Sequence, residues 1–275
     1  MKLKKGYDHA DGRFIYTLLY IYIDSSLMII DSLTKDISLV SAEDCLIIPD
    51  VHGRDFWKDA ANRFPGNIVF LGDYLDPYPL EGISPDEAFT NFQEILSFKK
   101  ANPDRVTLLL GNHDLQYFSK AYSLYSKSDR YSWKYAQLYE DTFHENSQLF
   151  QLAHTLAFPE SKVLFTHAGV HSCWLHLHPY LLPEVSAEAI NRLLDTEEGI
   201  VALTECSKIR GGDYLAGSPV WADQREMVHS EPIEGTYQIF GHTMLEVPVI
   251  TCTFACLDTQ NVYAIDPHLK INIIK

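Results

Sequence analysis

Cysteine and positive charge are both scarce in this 275-residue chain. Its five cysteines are an odd number and thinly spread, so a disulfide framework is excluded and a reducing compartment is favoured. Lysine and arginine together number 22 against 37 aspartates and glutamates, which gives a net charge of −15. A surface of this sign repels phosphate backbones, so we expect no stable nucleic-acid partner.

The chain also has no uninterrupted apolar run of the kind that crosses a membrane, which takes about 20 residues. Its most apolar stretch, residues 14–30, is divided by Asp24-Ser25-Ser26 and is not followed by a small-residue cleavage site. The aromatic and β-branched residues of this stretch favour two strands around a turn. We therefore expect no membrane partner and a cytoplasmic location.

Hydrophobic residues make up 46% of the chain, which is enough for a sizeable core. No flexible linker or internal repeat divides the sequence, so we expect one domain over residues 45–275, preceded by an accessory β segment at 1–44. Strand and helix patterns alternate early in the domain, and β-rich runs recur after residue 236. This order predicts an α/β fold with two mixed β-sheets flanked by helices, and a helical cap insertion drawn from helical stretches at about 115–158 and 172–215.

Boundary signals place several individual elements. Ser84 is followed by Pro85 in the first turn and by Glu87 three residues on, a capping-box pattern that predicts a helix to about residue 100. A helix is also expected at 54–64. Short apolar runs predict strands at 45–49, 67–71, 105–110 and 162–166.

Five short polar blocks each follow a strand-like apolar run directly. They are Asp50-Val51-His52-Gly53, Gly72-Asp73-Tyr74-Leu75-Asp76, Gly111-Asn112-His113-Asp114, Thr166-His167-Ala168-Gly169 and Gly241-His242-Thr243. Loops at the carboxyl ends of strands converge in α/β folds, so the blocks should share one crevice. Their Asp, His and Asn side chains suit Mn, Fe or Zn, and the absence of Cys ligands disfavours a structural zinc site.

Charge counting is compatible with such a centre in an acidic protein. Two divalent cations, the carboxylates of Asp50 and Asp73 and one hydroxide leave a net charge of about +1. The remaining Asn and His side chains are neutral. The cluster could therefore attract a phosphate dianion although the chain as a whole is negative.

In sequence order the blocks read PDVHGR, LGDYLDPY, GNHD, THAGV and FGHT. Together they resemble the calcineurin-like metallophosphoesterase superfamily and, within it, the phosphoprotein-phosphatase (serine/threonine phosphatase-like) branch. The resemblance covers roughly residues 45–265. It implies six metal ligands: Asp50 and His52 for a first ion, Asp73 as a bridge, and Asn112, His167 and His242 for a second ion.

The resemblance also implies a reaction. His113 matches the histidine that protonates the leaving oxygen, and Asp76 matches the carboxylate paired with it. A hydroxide bridging two divalent ions, manganese among the candidates, would attack phosphorus directly without a phospho-enzyme. The expected substrate is a phosphorylated small molecule, a nucleotide or a phosphopeptide.

One departure from the branch concerns phosphate binding. Members carry Arg directly after the residue equivalent to Asp76, and this chain carries Pro77. Three arginines could substitute: Arg225 in VWADQRE, Arg54 after His52-Gly53, and Arg210 in IRGGDY.

Two other functions remain open at this point. Bacterial relatives that hydrolyse dinucleoside polyphosphates or other phosphoanhydrides also carry HAG and GHT blocks. The missing arginine is compatible with a non-catalytic scaffold that holds metal. The sequence leaves the native metals, the substrate and the oligomeric state undetermined.

Overall fold

The computed structural model describes residues 34–159 and 161–274. Most of the predicted accessory segment, including its expected pair of strands, lies outside these residues. Within them, the strands are β1 (Thr34–Lys35), β2 (Cys45–Ile48), β3 (Asn67–Phe70), β4 (Val106–Leu109), β5 (Phe150–Gln151), β6 (Ala153–Ala157), β7 (Lys162–Thr166), β8 (Thr236–Phe240), β9 (Val249–Ile250), β10 (Phe254–Cys256), β11 (Tyr263–Ile265) and β12 (Ile271–Ile274).

The α-helices in the same residues are mostly short, with one long exception. They are α1 (Lys58–Arg63), α2 (Pro85–Ala101), α3 (Asn112–Phe118), α4 (Lys120–Tyr125), α5 (Ala136–Glu145), α6 (Ser172–Leu177), α7 (Ala187–Asn191), α8 (Glu197–Leu203) and α9 (Gln224–Met227). None of these helices combines the length and the apolar character that a membrane-spanning segment requires.

The strands form two mixed sheets, as predicted. The first has the order β1-β12-β11-β2-β3-β4-β5, and the second has the order β6-β7-β8-β10-β9. Strands β2 to β5 run parallel, and β11 is antiparallel to both β2 and β12. In the second sheet β7, β8 and β10 run parallel, with antiparallel β6 and β9 at the two edges.

The first sheet is covered on both faces, which explains why β2 is apolar throughout. Successive side chains of a strand point to opposite faces. Cys45 and Ile47 pack in a core between the sheets, against second-sheet residues such as Phe165. Leu46 and Ile48 point the other way, into a core shared with α1 and α2. Burial on both faces therefore accounts for the continuous hydrophobic run.

The four strands predicted at 45–49, 67–71, 105–110 and 162–166 are confirmed, and so is the capping box. Ser84 Oγ accepts from the Glu87 N–H at 3.2 Å, and the Glu87 carboxylate accepts from the Ser84 N–H at 2.8 Å. The helix expected at 54–64 covers only Lys58–Arg63. Arg54 instead reaches across to Glu81, with Nη2 2.7 Å from Oε1, and its segment forms turns.

The two stretches predicted to be helical differ in outcome. Residues 172–215 contain α6, α7 and α8. Residues 115–158 include most of α3 and all of α4 and α5, but they end in β5 and β6. Strand β6 pairs with β7 over five residues, from Ala153 opposite Thr166 to Ala157 opposite Lys162. This pairing outweighs the local helical pattern.

Candidate active site

The six predicted metal ligands are all buried and lie together at the carboxyl ends of β2, β3 and β4 of the first sheet and of β7 and β8 of the second. They are Asp50, His52, Asp73, Asn112, His167 and His242. Five of them form two overlapping groups, in each of which the ligand atoms lie within 4.8 Å of one another: Asp50, His52 and Asp73, and Asp73, His167 and His242. Because Asp73 belongs to both groups, it lies where a bridging ligand would lie.

Lone pairs converge at this point. His52 and His167 each donate from Nδ1 to a backbone carbonyl, at 2.9 and 2.8 Å, so each Nε2 carries a lone pair. These Nε2 atoms lie 3.4 and 3.6 Å from Asp73 Oδ2. His167 Nε2 is also 3.1 Å from Asn112 Oδ1 and 3.1 Å from His242 Nδ1. The two Nε2 lone pairs and the oxygens of Asp73 and Asn112 repel one another at these distances unless a cation lies between them, so the residues present fit divalent metal ions.

Four of the site residues have a backbone conformation that side chains other than glycine rarely adopt. Their φ angles are positive: His52 (45°), Asp73 (54°), Asp76 (56°) and His242 (63°). Each such residue costs of order 1–3 kcal/mol and persists only where its surroundings hold it. One such restraint is the 2.7 Å hydrogen bond from the His52 N–H to the Asp73 carbonyl. The strain is concentrated at the site.

Two of the predicted glycines are required because the ligands approach them closely. A Cβ on Gly111 would lie 2.1 Å from Asp73 Oδ1, and a Cβ on Gly241 would lie 2.2 Å from Asp50 Oδ1. Any other residue at these positions would displace a carboxylate. The glycines therefore leave room for the ligands.

Asp114, the last residue of the GNHD block, holds the backbone of the Asp73 loop. Its buried carboxylate accepts from the N–H groups of Asp73 at 2.6 Å, Tyr74 at 3.0 Å and Gly111 at 2.9 Å. Burial raises the pKa of Asp114. Sequence reasoning gave this residue no role, because backbone hydrogen bonds from another loop leave no sequence signal.

Burial and charge shift the pKa values of the ligands in opposite directions. Burial raises the pKa of Asp50 and lowers the pKa values of His52 and His242. Burial opposes ionisation of Asp73 as well, but His167 and other facing imidazoles hold its pKa below the usual range. Metal binding requires neutral imidazoles and ionised carboxylates, and the burial of His52 and His242 favours the neutral form of these two rings.

His113 and Asp76 form the predicted pair beside these ligands. His113 Nδ1 lies 3.0 Å from Asp76 Oδ2, and both side chains are buried. The carboxylate also accepts from Gln116 Nε2 and, at 2.7 Å, from the Tyr117 hydroxyl. Sequence reasoning missed these two supports, although positions three and four after His113 on a helix share its face.

Arg130 is a further residue that sequence reasoning missed. It lies in residues 126–135, between α4 and α5. Its Nη2 is 2.9 Å from His113 Nε2, and its Nη1 donates to the Asp76 carbonyl. Its guanidinium lies 3.8 Å from the centre of the Tyr78 ring. Nothing in the sequence of the five blocks predicts that Arg130 lies at the site.

The three predicted arginines lie around the site and not within it. Arg54 Nη1 donates to the Asp50 carbonyl at 3.2 Å, and Arg210 Nη2 donates to the His242 carbonyl at 3.2 Å. Arg225 pairs with Asp223, and its side chain is 64% exposed. Thus two of the three contact the backbone of a predicted ligand, and the third lies at the surface.

The fold and the site together agree with a match to a protein-family model. The family model described as "Calcineurin-like phosphoesterase" matches residues 45–246, so the chain belongs to that family. The match covers all five polar blocks.

Sequence relatives include serine/threonine phosphatases. The serine/threonine-protein phosphatase 6 catalytic subunit of Drosophila melanogaster is 28% identical over 131 residues, which are 44% of this chain and 38% of the relative. A probable serine/threonine-protein phosphatase of Encephalitozoon cuniculi is 25% identical over 195 residues, which are 70% of this chain and 36% of the relative. The chain thus spans less than two fifths of the length of either relative.

Solved structures with a similar fold are also phosphatases. A cold-active protein-tyrosine phosphatase of a psychrophilic Shewanella species gives a TM-score of 0.52 at 14% identity, covering 89% of this chain and 82% of that one. A Saccharomyces cerevisiae protein serine/threonine phosphatase with similarity to human phosphatase PP5 gives 0.50 at 14% identity, covering 88% and 82%. At this identity the likeness concerns the fold alone.

Proposed function

We propose that the protein hydrolyses phosphate monoesters at a dinuclear metal centre, as a serine/threonine-phosphatase-like enzyme. The observation that carries this proposal is the pair of ligand groups sharing Asp73, with the His113–Asp76 pair directly beside them. Asp50, His52 and Asp73 would hold one ion. Asp73, His167, His242 and the nearby Asn112 would hold the other.

The donor set suits Mn, Fe or Zn. Ions bound there would lower the pKa of a water molecule and neutralise charge on the phosphoryl oxygens. The protein's contribution is to fix the ligands. Asp114 holds the backbone on either side of Asp73, and Gly111 and Gly241 let two carboxylates approach closely.

His113 and Asp76 have the geometry of a general acid and its partner. Asp76 accepts the Nδ1–H, which turns His113 Nε2 away from it. A proton on Nε2 can then pass to the leaving oxygen, while the carboxylate stabilises the imidazolium and fixes the ring. A leaving alkoxide needs this proton more than a leaving nitrophenolate does.

Three further expectations belong to this proposal. The phosphatase relatives favour phosphopeptides as substrates, with phosphorylated small molecules and nucleotides as the other classes. The net charge of −15 argues against stable nucleic-acid binding. All five cysteines are unpaired in the described part of the chain, which is compatible with a cytoplasmic location.

A substrate panel tests the proposed function. Metal-free protein is reconstituted with Mn, Fe or Zn and offered p-nitrophenyl phosphate, phosphoserine, phosphothreonine and phosphotyrosine peptides, bis-p-nitrophenyl phosphate and a dinucleoside tetraphosphate. We expect metal-dependent release of phosphate from the monoesters. Preferred cleavage of the dinucleotide would favour a phosphoanhydride hydrolase. Stoichiometric metal binding without turnover of any compound would favour a scaffold.

A further inference from the structure

The guanidinium of Arg130 enters the site from outside the five blocks. It contacts His113 Nε2 at 2.9 Å, the Asp76 carbonyl and the face of Tyr78. Three contacts of different kinds, to an imidazole, a carbonyl and an aromatic ring, hold one planar group. The group is therefore positioned beside the atom that faces the leaving oxygen in the proposed reaction.

The segment that carries Arg130 is fastened to the supports of the His113–Asp76 pair. The Ser128 N–H donates to Gln116 Oε1 at 2.8 Å, and the Ser132 N–H donates to the Tyr117 hydroxyl at 2.8 Å. These two anchors lie two residues before and two residues after Arg130. The same Gln116 and Tyr117 side chains hold Asp76, so the position of Arg130 is tied to that of the pair.

Charge distinguishes Arg130 from the other arginines around the site. Arg54 pairs with Glu81, and Arg210 and Arg225 share Asp223. Within the described residues, no carboxylate forms an ion pair with Arg130. Its partners are a neutral carbonyl, an aromatic ring, an imidazole nitrogen of His113 and, at 3.5 Å, an imidazole nitrogen of His52. A guanidinium without a carboxylate partner can accept a phosphoryl group without breaking an ion pair.

The contact with His113 has a consequence for the reaction. An N–H of Arg130 occupies the Nε2 lone pair of His113, which is the position that must hold the proton for the leaving oxygen in the proposed reaction. A phosphoryl dianion is a stronger acceptor than a neutral imidazole, because it carries negative charge and can accept two parallel N–H bonds from one guanidinium. A substrate phosphate would therefore draw Nη2 away from His113.

We propose that Arg130 binds the phosphoryl group of the substrate, in place of the arginine that Pro77 replaces, and that this binding frees His113 Nε2 to take up from solvent the proton that it passes to the leaving oxygen. The inference rests on the proposed function. The bonds that form and break in hydrolysis are unchanged, and Arg130 keeps its protons. The guanidinium keeps its contact with the face of Tyr78 when it moves from His113 to the phosphoryl group.

Orthophosphate binding tests the proposal without requiring turnover. Titration calorimetry with the Mn-loaded protein would compare the parent with Arg130→Ala, Arg130→Gln and Arg130→Lys. We expect the two neutral variants to bind phosphate about 10- to 100-fold more weakly, because a charged hydrogen bond is lost. The Lys variant should fall in between, since it keeps the charge without the planar fork. Arg130→Gln keeps part of the stem on Tyr78, in case the Ala variant folds poorly.

Lys127→Ala is the matched control, because Lys127 is the nearest other cation of the segment. Its Nζ lies 5.4 and 5.7 Å from the ring centres of Tyr131 and Trp133. This variant should bind phosphate like the parent. Bound metal, measured by emission spectrometry, should be unchanged in every variant.

Leaving-group dependence separates phosphate binding from mere support of His113. If Arg130 binds the phosphoryl group, Arg130→Gln should lower kcat/KM by a similar factor for p-nitrophenyl phosphate and for an alkyl phosphate. If it only positions His113, the alkyl ester should suffer more. That result would overturn the proposal, and so would unchanged phosphate affinity or a gain in activity. Absence of turnover in the parent would refute the proposed function, whereas phosphate affinity would still report on Arg130.

Discussion

The strand-end blocks and residues 126–135 supply side chains to the same site but are held there in different ways. The blocks are joined mainly through backbone groups. The Gly241 N–H donates to the His167 carbonyl at 2.8 Å, and the His52 N–H donates to the Asp73 carbonyl at 2.7 Å. Residues 126–135 are instead attached through two side chains of α3, Gln116 and Tyr117.

This difference separates two tasks within the site. Metal ligands must be held to within fractions of an ångström, and parallel strands that end at one edge provide that accuracy. A group that binds a phosphate must approach and release it. Side-chain anchors on one short helix allow such movement more readily than a network of backbone hydrogen bonds does.

The largest effect is expected where the two ligand groups overlap. Asp73→Asn removes the charge that both groups share, so we expect metal content to fall by at least one ion and turnover to approach background. Emission spectrometry and a p-nitrophenyl phosphate assay measure the two effects. Asp59→Asn, an exposed carboxylate on α1, is the control and should behave like the parent. Full metal occupancy in Asp73→Asn would remove Asp73 from the bridge.

The strand-end half of the site could be predicted from sequence because sheet geometry converts order along the chain into proximity. Each block directly follows an apolar run, so predicting where the strands end also predicted where the side chains of the blocks lie. The positive φ angles of His52, Asp73, Asp76 and His242 lay beyond such reasoning. Asp and His are enriched among non-glycine residues with positive φ, but the residue type alone does not predict this conformation at a given position.

The residues that surround the His113–Asp76 pair could be predicted only in part. Gln116 and Tyr117 lie one turn after His113, so helical spacing alone would have identified them as neighbours. Arg130 offered no such signal, because its place depends on where a connection between two helices folds back. Motif context favoured Arg225, which lies near the surface because Asp223, two residues earlier, captures its guanidinium.

His113→Ala is expected to have the second-largest effect, and it tests whether chemistry can be separated from metal binding. His113 lies beside the ligands, so metal content should be retained. Turnover of an alkyl phosphate should fall by about 10²–10⁴-fold, the range for loss of a general acid, with a smaller loss for p-nitrophenyl phosphate. His144→Ala, an exposed histidine of α5, serves as the control. Equal losses for both esters would argue against proton donation by His113.

Tyr117→Phe sharpens the comparison because this hydroxyl belongs to both regions. It donates to Asp76 Oδ1 at 2.7 Å and accepts from the Ser132 N–H at 2.8 Å. Burial raises the pKa of Tyr117, which keeps the hydroxyl protonated as a donor. We expect kcat to fall about 10-fold, as for other groups that orient a reacting side chain, and phosphate affinity to fall with it.

The control for this variant is Tyr131→Phe. Tyr131 stacks on Tyr117 with ring centres 4.8 Å apart. Its hydroxyl makes a long contact of 3.5 Å with a Glu140 oxygen, whereas the Tyr117 hydroxyl donates to Asp76. For Tyr131→Phe, kcat and the phosphate affinity should both stay near the values of the parent. If Tyr117→Phe lowered kcat and left phosphate binding intact, residues 126–135 would not depend on this anchor.

The smallest effect is expected for Arg225→Ala, the arginine that motif context favoured. Its side chain is 64% exposed, and Arg210 continues to pair with Asp223 at 3.1 Å after its removal. Activity and phosphate affinity should change less than about 2-fold, and the free energy of unfolding by at most about 1 kcal/mol, as for exposed ion pairs. Steady-state kinetics and urea unfolding measure these quantities. A loss of phosphate affinity as large as that of Arg130→Gln would transfer the phosphate-binding role to Arg225.

The pH dependence of that small stability loss identifies its cause. Burial opposes ionisation of Asp223, but hydrogen bonds and the charges of Arg225 and Arg210 hold its pKa below the usual range. Stabilisation from a lowered carboxyl pKa is present above the ordinary pKa and disappears as the pH falls through the lowered one. The difference in unfolding free energy between Arg225→Ala and the parent should therefore appear at pH 7 and vanish in strong acid. A difference that persisted there would have to come from packing of the arginine stem, because Asp223 would then be neutral.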